Sequence, residues 1–74
     1  MLNLNKANSI IKKRYPKSEI LAIVETPNYY VYNLSSSVPE MKESVNKKDG
    51  KIELLNSLEI RAEARKGYNV IKES

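Results

Sequence analysis

The chain has 74 residues, carries a formal net charge of +4 at pH 7, and is 41% hydrophobic and 30% charged. This length predicts a single small domain over residues 1–74 with a thin core, and the composition is typical of a globular protein rather than a disordered one. Cysteine and histidine are absent, which excludes disulfides, thiolate zinc sites and histidine-based acid–base chemistry.

The first predicted element is an amphipathic helix near the amino end. Its apolar residues recur at spacings of three and four and share one face: Leu4, Ala7, Ile10, Ile11 and Tyr15. Asn3 or Asn5 is expected to cap the start, and Pro16 to end the helix. The last turn is basic, as the helix dipole favours: Lys12, Lys13 and Arg14.

A β-hairpin is predicted next. Residues 20–25 are rich in branched side chains, residues 26–29 (TPNY) form a turn signal, and residues 29–34 give the partner strand. Alternation places Tyr30, Tyr32 and Leu34 on one face of that strand, and Tyr29, Val31 and Asn33 on the other. Residues 35–40 (SSSVPE) then break the pattern and predict a loop.

A second hairpin is centred on Asp49-Gly50, a strong turn signal. A two-residue turn would place Val45 opposite Leu54, whereas a three-residue loop would place Ser44 opposite Leu54. A slip of one residue moves every side chain to the other face of a strand. We predict the two-residue turn, because Val45, Ile52 and Leu54 then share one face.

The carboxyl-terminal part predicts a second, short helix. Ser57 is the expected cap, and Gly67 is expected just past the end. Residues 68–74 then form either a short strand or a tail. The predicted fold class is α+β, with an N-terminal helix, an antiparallel sheet of two hairpins, and a short C-terminal helix. We expect one sheet face to be covered and the other to be partly open.

The residue types present favour no catalytic site, and we predict that the protein is not an enzyme. Gly50 and Gly67 stand too far apart to build a glycine-rich phosphate loop, and the nine acids are mostly dispersed singly among lysines. We expect no cofactor and no metal. No apolar run approaches the roughly 20 residues that span a bilayer, so we expect a soluble intracellular protein without a membrane partner.

The basic segment KKRYPK, residues 12–17, is one candidate functional site. Residues 1–17 carry +5 and no acid. A basic cluster with an aromatic residue suits phosphate binding and base stacking. Its candidate nucleic-acid-binding residues are Lys12, Lys13, Arg14 and Lys17. The favoured interpretation is nevertheless structural, because the helix dipole alone accounts for positive charge at this helix end.

The tyrosines of the first hairpin are the other candidate site. Tyr29, Tyr30 and Tyr32 suit either the core of a small sheet or a protein-binding face. Nucleic acid is disfavoured there, because residues 18–41 contain three acids and no basic residue. We expect one tyrosine stripe to lie in the core and the other to be exposed or covered by a partner.

Residues 7–55 resemble a recurrent pattern in small phage and prophage proteins of low-GC Gram-positive bacteria. The matching positions are Tyr15-Pro16, residues 30–32, and the hairpin of residues 45–52. The resemblance implies a virion component, an assembly aid or an inhibitor of a host protein, located in the host cytoplasm or the virion. We therefore predict a non-catalytic accessory protein that binds a host or phage protein. Self-association is also expected, and a nucleic-acid-binding module is the alternative.

Overall fold

The computed structural model describes residues 1–73, so Ser74 lies outside the described residues. The elements in chain order are α1 (Leu4–Arg14), β1 (Ile20–Glu25), β2 (Tyr29–Leu34), β3 (Met41–Asn46), β4 (Ile52–Asn56), α2 (Ser57–Ala64) and β5 (Asn69–Lys72). The α+β prediction is confirmed, with five strands in the described chain where two hairpins predict four.

Helix α1 begins and ends where its local sequence predicts. The Asn3 side chain accepts a hydrogen bond of 2.9 Å from the backbone N–H of Lys6, which satisfies a donor that has no partner within the helix. The helix ends at Arg14, two residues before Pro16. The N-terminal cap and the basic last turn are therefore confirmed.

The strands form one antiparallel sheet in the order β4-β3-β2-β1-β5. The first four strands follow one another as a meander, and β5 pairs with the free side of β1. Residues 68–74 were predicted to form either a short strand or a tail, and the structure has a strand there over Asn69–Lys72. Because β4 and β5 are the two edges, α2 has to connect opposite sides of the sheet.

The predicted register of the second hairpin is wrong. Val45 pairs with Ile52 and Glu43 pairs with Leu54, which matches neither the two-residue turn nor the three-residue loop. The shift from the two-residue register is two residues, so each side chain keeps its face. Val45, Ile52 and Leu54 therefore still share a face, as burial requires.

The physical reason for this register is a four-residue loop, residues 47–50. The Asn46 carbonyl accepts the Gly50 N–H at 2.8 Å, and the Asn46 N–H donates to the Lys51 carbonyl at 2.9 Å. Gly50 has a φ of 73°, a conformation that glycine adopts at little cost. Asp49 and Gly50 are thus the last two residues of a four-residue loop, whereas the prediction made them the whole turn.

The main core lies between α1 and one face of the sheet. Its buried residues are Ala7, Ile11, Ile23, Tyr30, Tyr32, Leu34 and Val45. Tyr32 is completely buried, and its hydroxyl donates a 2.6 Å hydrogen bond to Asn8 Oδ1. Burial, assisted by the neighbouring Tyr30, raises the pKa of the Tyr32 hydroxyl far above its usual range. The predicted stripe of Tyr30, Tyr32 and Leu34 is therefore core.

Helix α2 covers part of the opposite face, where Val31 and Leu55 are buried. Ile60 lines an apolar cavity there with Val24 and Val31. The cap of α2 is Asn56 rather than the predicted Ser57. Asn56 exchanges side chain–backbone hydrogen bonds of 2.9 Å with Glu59, and this reciprocal pair fixes the helix start one residue earlier.

The Glu63 carboxylate ties α2 to the turn between β1 and β2. It accepts hydrogen bonds from the Thr26 hydroxyl at 3.2 Å and the Asn28 amide at 3.3 Å, and from the Lys66 ammonium at 3.0 Å. Burial raises the pKa of Glu63, but the hydrogen bonds from Lys66 and Asn28 outweigh it and hold that pKa below its ordinary value.

Replacing Glu63 by glutamine should lower the free energy of unfolding by about 1 kcal/mol at pH 7. A carboxylate whose pKa is lowered by folding stabilises the fold above its unfolded pKa, and this contribution is lost as the pH falls through the folded pKa. Urea unfolding at pH 7 and at pH 3 should therefore show a difference between wild type and Glu63→Gln that shrinks in acid. The exposed Glu40→Gln is the matched control, and an equal loss in both variants would contradict the expectation.

Candidate functional site

The four predicted cationic residues are all exposed, but the structure distributes them around α1. Lys12 lines a depression on the β1 side, together with Lys72 and Glu19. Lys13 and Arg14 line a second depression on the β4 side. Lys17 lies after the end of the helix and lines neither of these two depressions. The basic segment therefore does not form one continuous phosphate-binding strip.

The depression on the β4 side combines apolar and cationic lining residues, and we call it the α1–β4 groove. It is open to solvent and has a volume of about 640 Å³. Its lining residues are Ile10, Lys13, Arg14, Gly50, Lys51 and Ile52. Two isoleucines thus form an apolar floor, and the cations Lys13 and Arg14 lie beside it on α1.

Close packing between α1 and the 47–50 loop shapes one end of this groove. A Cβ atom added to Gly50 would lie 3.4 Å from Ile10 Cδ1, so the loop backbone touches the helix side chain. The Arg14 guanidinium lies 5.1 Å from the centre of the Tyr15 ring, a cation–π contact that orients it. Contacts of Ile10 with the loop and of Arg14 with Tyr15 therefore shape this end of the groove.

Leu54 extends the apolar floor along β4. It is two residues from Ile52, so both side chains lie on the α1 face of the sheet. The Leu54 side chain is 54% exposed, which is high for a leucine on a sheet face that carries the core. An apolar surface beside a cationic rim is thus accessible to a partner.

The three tyrosines do not form one surface. Tyr30 and Tyr32 are buried beneath α1, and the half-buried Tyr29 lies on the opposite face. The Tyr29 hydroxyl donates to Glu53 Oε1 at 3.0 Å, and burial followed by this hydrogen bond raises the pKa of Tyr29. Two of the three predicted protein-binding rings therefore offer almost no accessible area in the folded chain.

Sequence reasoning missed the contribution of Lys51 and Ile52 to the site. They lie almost forty residues from Lys13 and Arg14 along the chain, and only the packing of the 47–50 loop against α1 brings the two pairs together. No local pattern indicates that contact. The basic character of α1 was the only available signal.

No protein-family model matches the chain, and no significant match was found among curated proteins or solved structures. Within residues 1–73, neither helix has the length and apolar character needed to cross a membrane.

Proposed function

We propose that this protein is a non-catalytic binding domain that holds another protein at the α1–β4 groove. The observation that carries the proposal is the combination of an apolar floor, Ile10 and Ile52, with a cationic rim. Apolar contacts supply affinity, and the surrounding charges select the partner and speed its approach. Such a surface fits an apolar side chain flanked by carboxylates.

A protein partner suits this geometry better than nucleic acid. Single-stranded nucleic acid is bound along a cationic track with aromatic rings that stack on the bases. Here Lys12 lies on the β1 side of α1 and Lys13 and Arg14 on the β4 side, while Tyr15 is half-buried. Nucleic-acid binding by Lys12, Lys13, Arg14 and Lys17 is retained as the alternative.

The biological setting is also a proposal, and it rests on the resemblance of residues 7–55 to small phage proteins. A domain that acts only by binding suits a virion or assembly component, and it equally suits an inhibitor of a host protein. Both roles need a specific surface and no chemical step.

Site-specific photo-crosslinking in cells that express the full chain tests this proposal. Benzoylphenylalanine in place of Lys51, at the groove, should give a discrete protein adduct that mass spectrometry identifies. The matched control replaces Arg61, which is exposed on α2, and should give no such adduct.

Equal adducts at both positions, or none at position 51, would overturn the proposal. A nuclease-sensitive adduct at position 51 would replace it with the nucleic-acid alternative.

A further inference from the structure

We propose that the partner segment binds as an extended strand, antiparallel to the outer edge of β4, and carries an acid–x–apolar–x–acid pattern. This inference rests on the proposed function and specifies how the α1–β4 groove is filled. An edge strand beside a helix offers backbone hydrogen bonds for affinity and a groove for alternate side chains. The supporting observations are the free backbone groups of β4, its unprotected edge and the charge of the groove.

The ladder between β3 and β4 shows which backbone groups of β4 face outward. The Asn46 N–H donates to the Lys51 carbonyl, and residues of an antiparallel strand alternate in the direction of their hydrogen bonds. Glu53 and Leu55 therefore face β3, whereas Ile52 and Leu54 present their N–H and C=O groups to the open edge. The side chains of Ile52 and Leu54 also lie on the α1 face. One added strand would thus meet both the free backbone and the groove.

The two sheet edges differ in how they are protected. Strand β5 has only four residues, and its pairing with β1 skips Ile71, which forms a bulge. The Lys72 ammonium folds back to the Ile20 carbonyl at 2.8 Å. Bulges, short length and lysines are features that hinder further pairing at sheet edges. Strand β4 has a regular register and contains neither proline nor lysine, so its edge is open to an added strand.

The charge of the groove determines the chemistry of the occupant. Residues of the added strand that lie opposite Ile52 and Leu54 project to the α1 face, next to the cations Lys13 and Arg14. An apolar residue there contacts the isoleucine floor, and acids two positions before and after it face the cationic rim. The pattern therefore places the acid, the apolar residue and the second acid at alternate positions, so that all three side chains face the groove.

A second copy of the chain does not supply this pattern through β4. The single acid of that strand is Glu53, which lies on the face opposite α1. Its carboxylate already accepts hydrogen bonds from the Tyr29 hydroxyl at 3.0 Å and the Asn46 amide at 3.1 Å. Self-pairing would therefore leave the cationic rim without carboxylates.

The test uses the full-length ¹⁵N-labelled chain and the probe peptide acetyl-Thr-Glu-Thr-Leu-Thr-Glu-Thr-amide. The matched control, acetyl-Glu-Thr-Thr-Leu-Thr-Thr-Glu-amide, has the same composition but places the acids on the other face of a strand. The probe peptide should bind about tenfold more tightly than the control peptide, and its binding should weaken as the salt concentration rises. Hydrogen exchange of the Ile52 and Leu54 amides should slow on binding. Those of Glu53 and Leu55 should be protected in both states.

Two modifications address backbone pairing directly. Methylation of the peptide's leucine nitrogen removes the N–H that would face β4 and should abolish binding, whereas methylation of the neighbouring threonine should be tolerated. In the protein, Leu54→Pro removes an outward-facing N–H and no ladder bond, so the fold is retained. Leu54→Pro should weaken binding by at least about tenfold, and Leu54→Ala by less.

The outcomes separate this inference from the proposed function. Binding at the groove without protection of the Ile52 and Leu54 amides overturns strand addition and leaves the groove as a protein-binding site. Equal binding of the two peptides, or no binding at millimolar concentration, overturns the acidic pattern, while crosslinking at position 51 decides the proposed function independently. A dimer that Leu54→Pro dissociates would also overturn the inference and identify a second copy as the occupant.

Discussion

Replacing Tyr32 with alanine is expected to remove a large share of the free energy of unfolding at 25 °C. Tyr32 is completely buried in the core beneath α1. Removing a buried aromatic ring costs about 3–5 kcal/mol, and a domain of this length has a free energy of unfolding of roughly 4–11 kcal/mol. The loss also leaves the Asn8 side-chain oxygen without the donor that it meets at 2.6 Å. One substitution thus removes a large share of the total stability.

Urea unfolding followed by circular dichroism measures this effect. Tyr68→Ala is the matched control, because the Tyr68 ring is 65% exposed and its loss should change the free energy of unfolding by less than about 0.5 kcal/mol. Tyr32→Phe should fall between them, at about 1–2 kcal/mol, since it removes only the hydroxyl. A folded Tyr32→Ala protein with a wild-type midpoint would contradict the described core.

The second large effect is expected at the ion pair between Lys47 and Glu25. The Lys47 side chain is only 10% exposed, and its ammonium contacts the Glu25 carboxylate and lies 4.9 Å from the centre of the Tyr30 ring. Glu25→Ala leaves that ammonium buried with only the aromatic face as a partner. Breaking one side of a buried pair costs about 3–5 kcal/mol, and the partial exposure of Glu25 reduces this to about 2–3 kcal/mol.

A double-mutant cycle separates the ion pair from the cost of leaving a charge unpaired. Lys47→Met should cost less than Glu25→Ala, because the remaining Glu25 carboxylate is 30% exposed and retains contact with water. The double variant Glu25→Leu/Lys47→Met should recover most of the stability, since an apolar pair replaces the buried charges without leaving either unpaired. Additive losses in the urea midpoints of the three variants would show that the two side chains do not interact.

Local signals in the sequence predicted most of the secondary structure. The Asn3 cap and the strands of residues 20–25 and 29–34 depend on near neighbours along the chain, and the structure confirms them. The second hairpin was less predictable, because Asp49-Gly50 fits several loop lengths that differ little in energy. Contacts between residues far apart in sequence then select one register. The predicted register differs from the observed one by two residues, and an even shift leaves Val45 and Ile52 on the predicted face.

The candidate site was less predictable than the fold. The sequence indicated a basic helix end, but it gave no indication that Lys13 and Arg14 would meet Lys51, or that Lys12 would face the other side. Alternation predicted that one tyrosine stripe would be core without saying which stripe. That choice depends on where α1 packs, which is a property of the whole fold.

The weak attachment of the carboxyl-terminal quarter, α2 and β5, has a consequence for local unfolding. Helix α2 contains no buried residue and every residue of β5 is exposed, so this unit buries little side-chain surface of its own. Segments of this kind open at a lower free energy than the core. Detachment would turn β1, with its branched run over Ile20–Glu25, into an open sheet edge. By holding α2 to the β1–β2 turn, the contacts of Glu63 are therefore expected to hinder aggregation through β1.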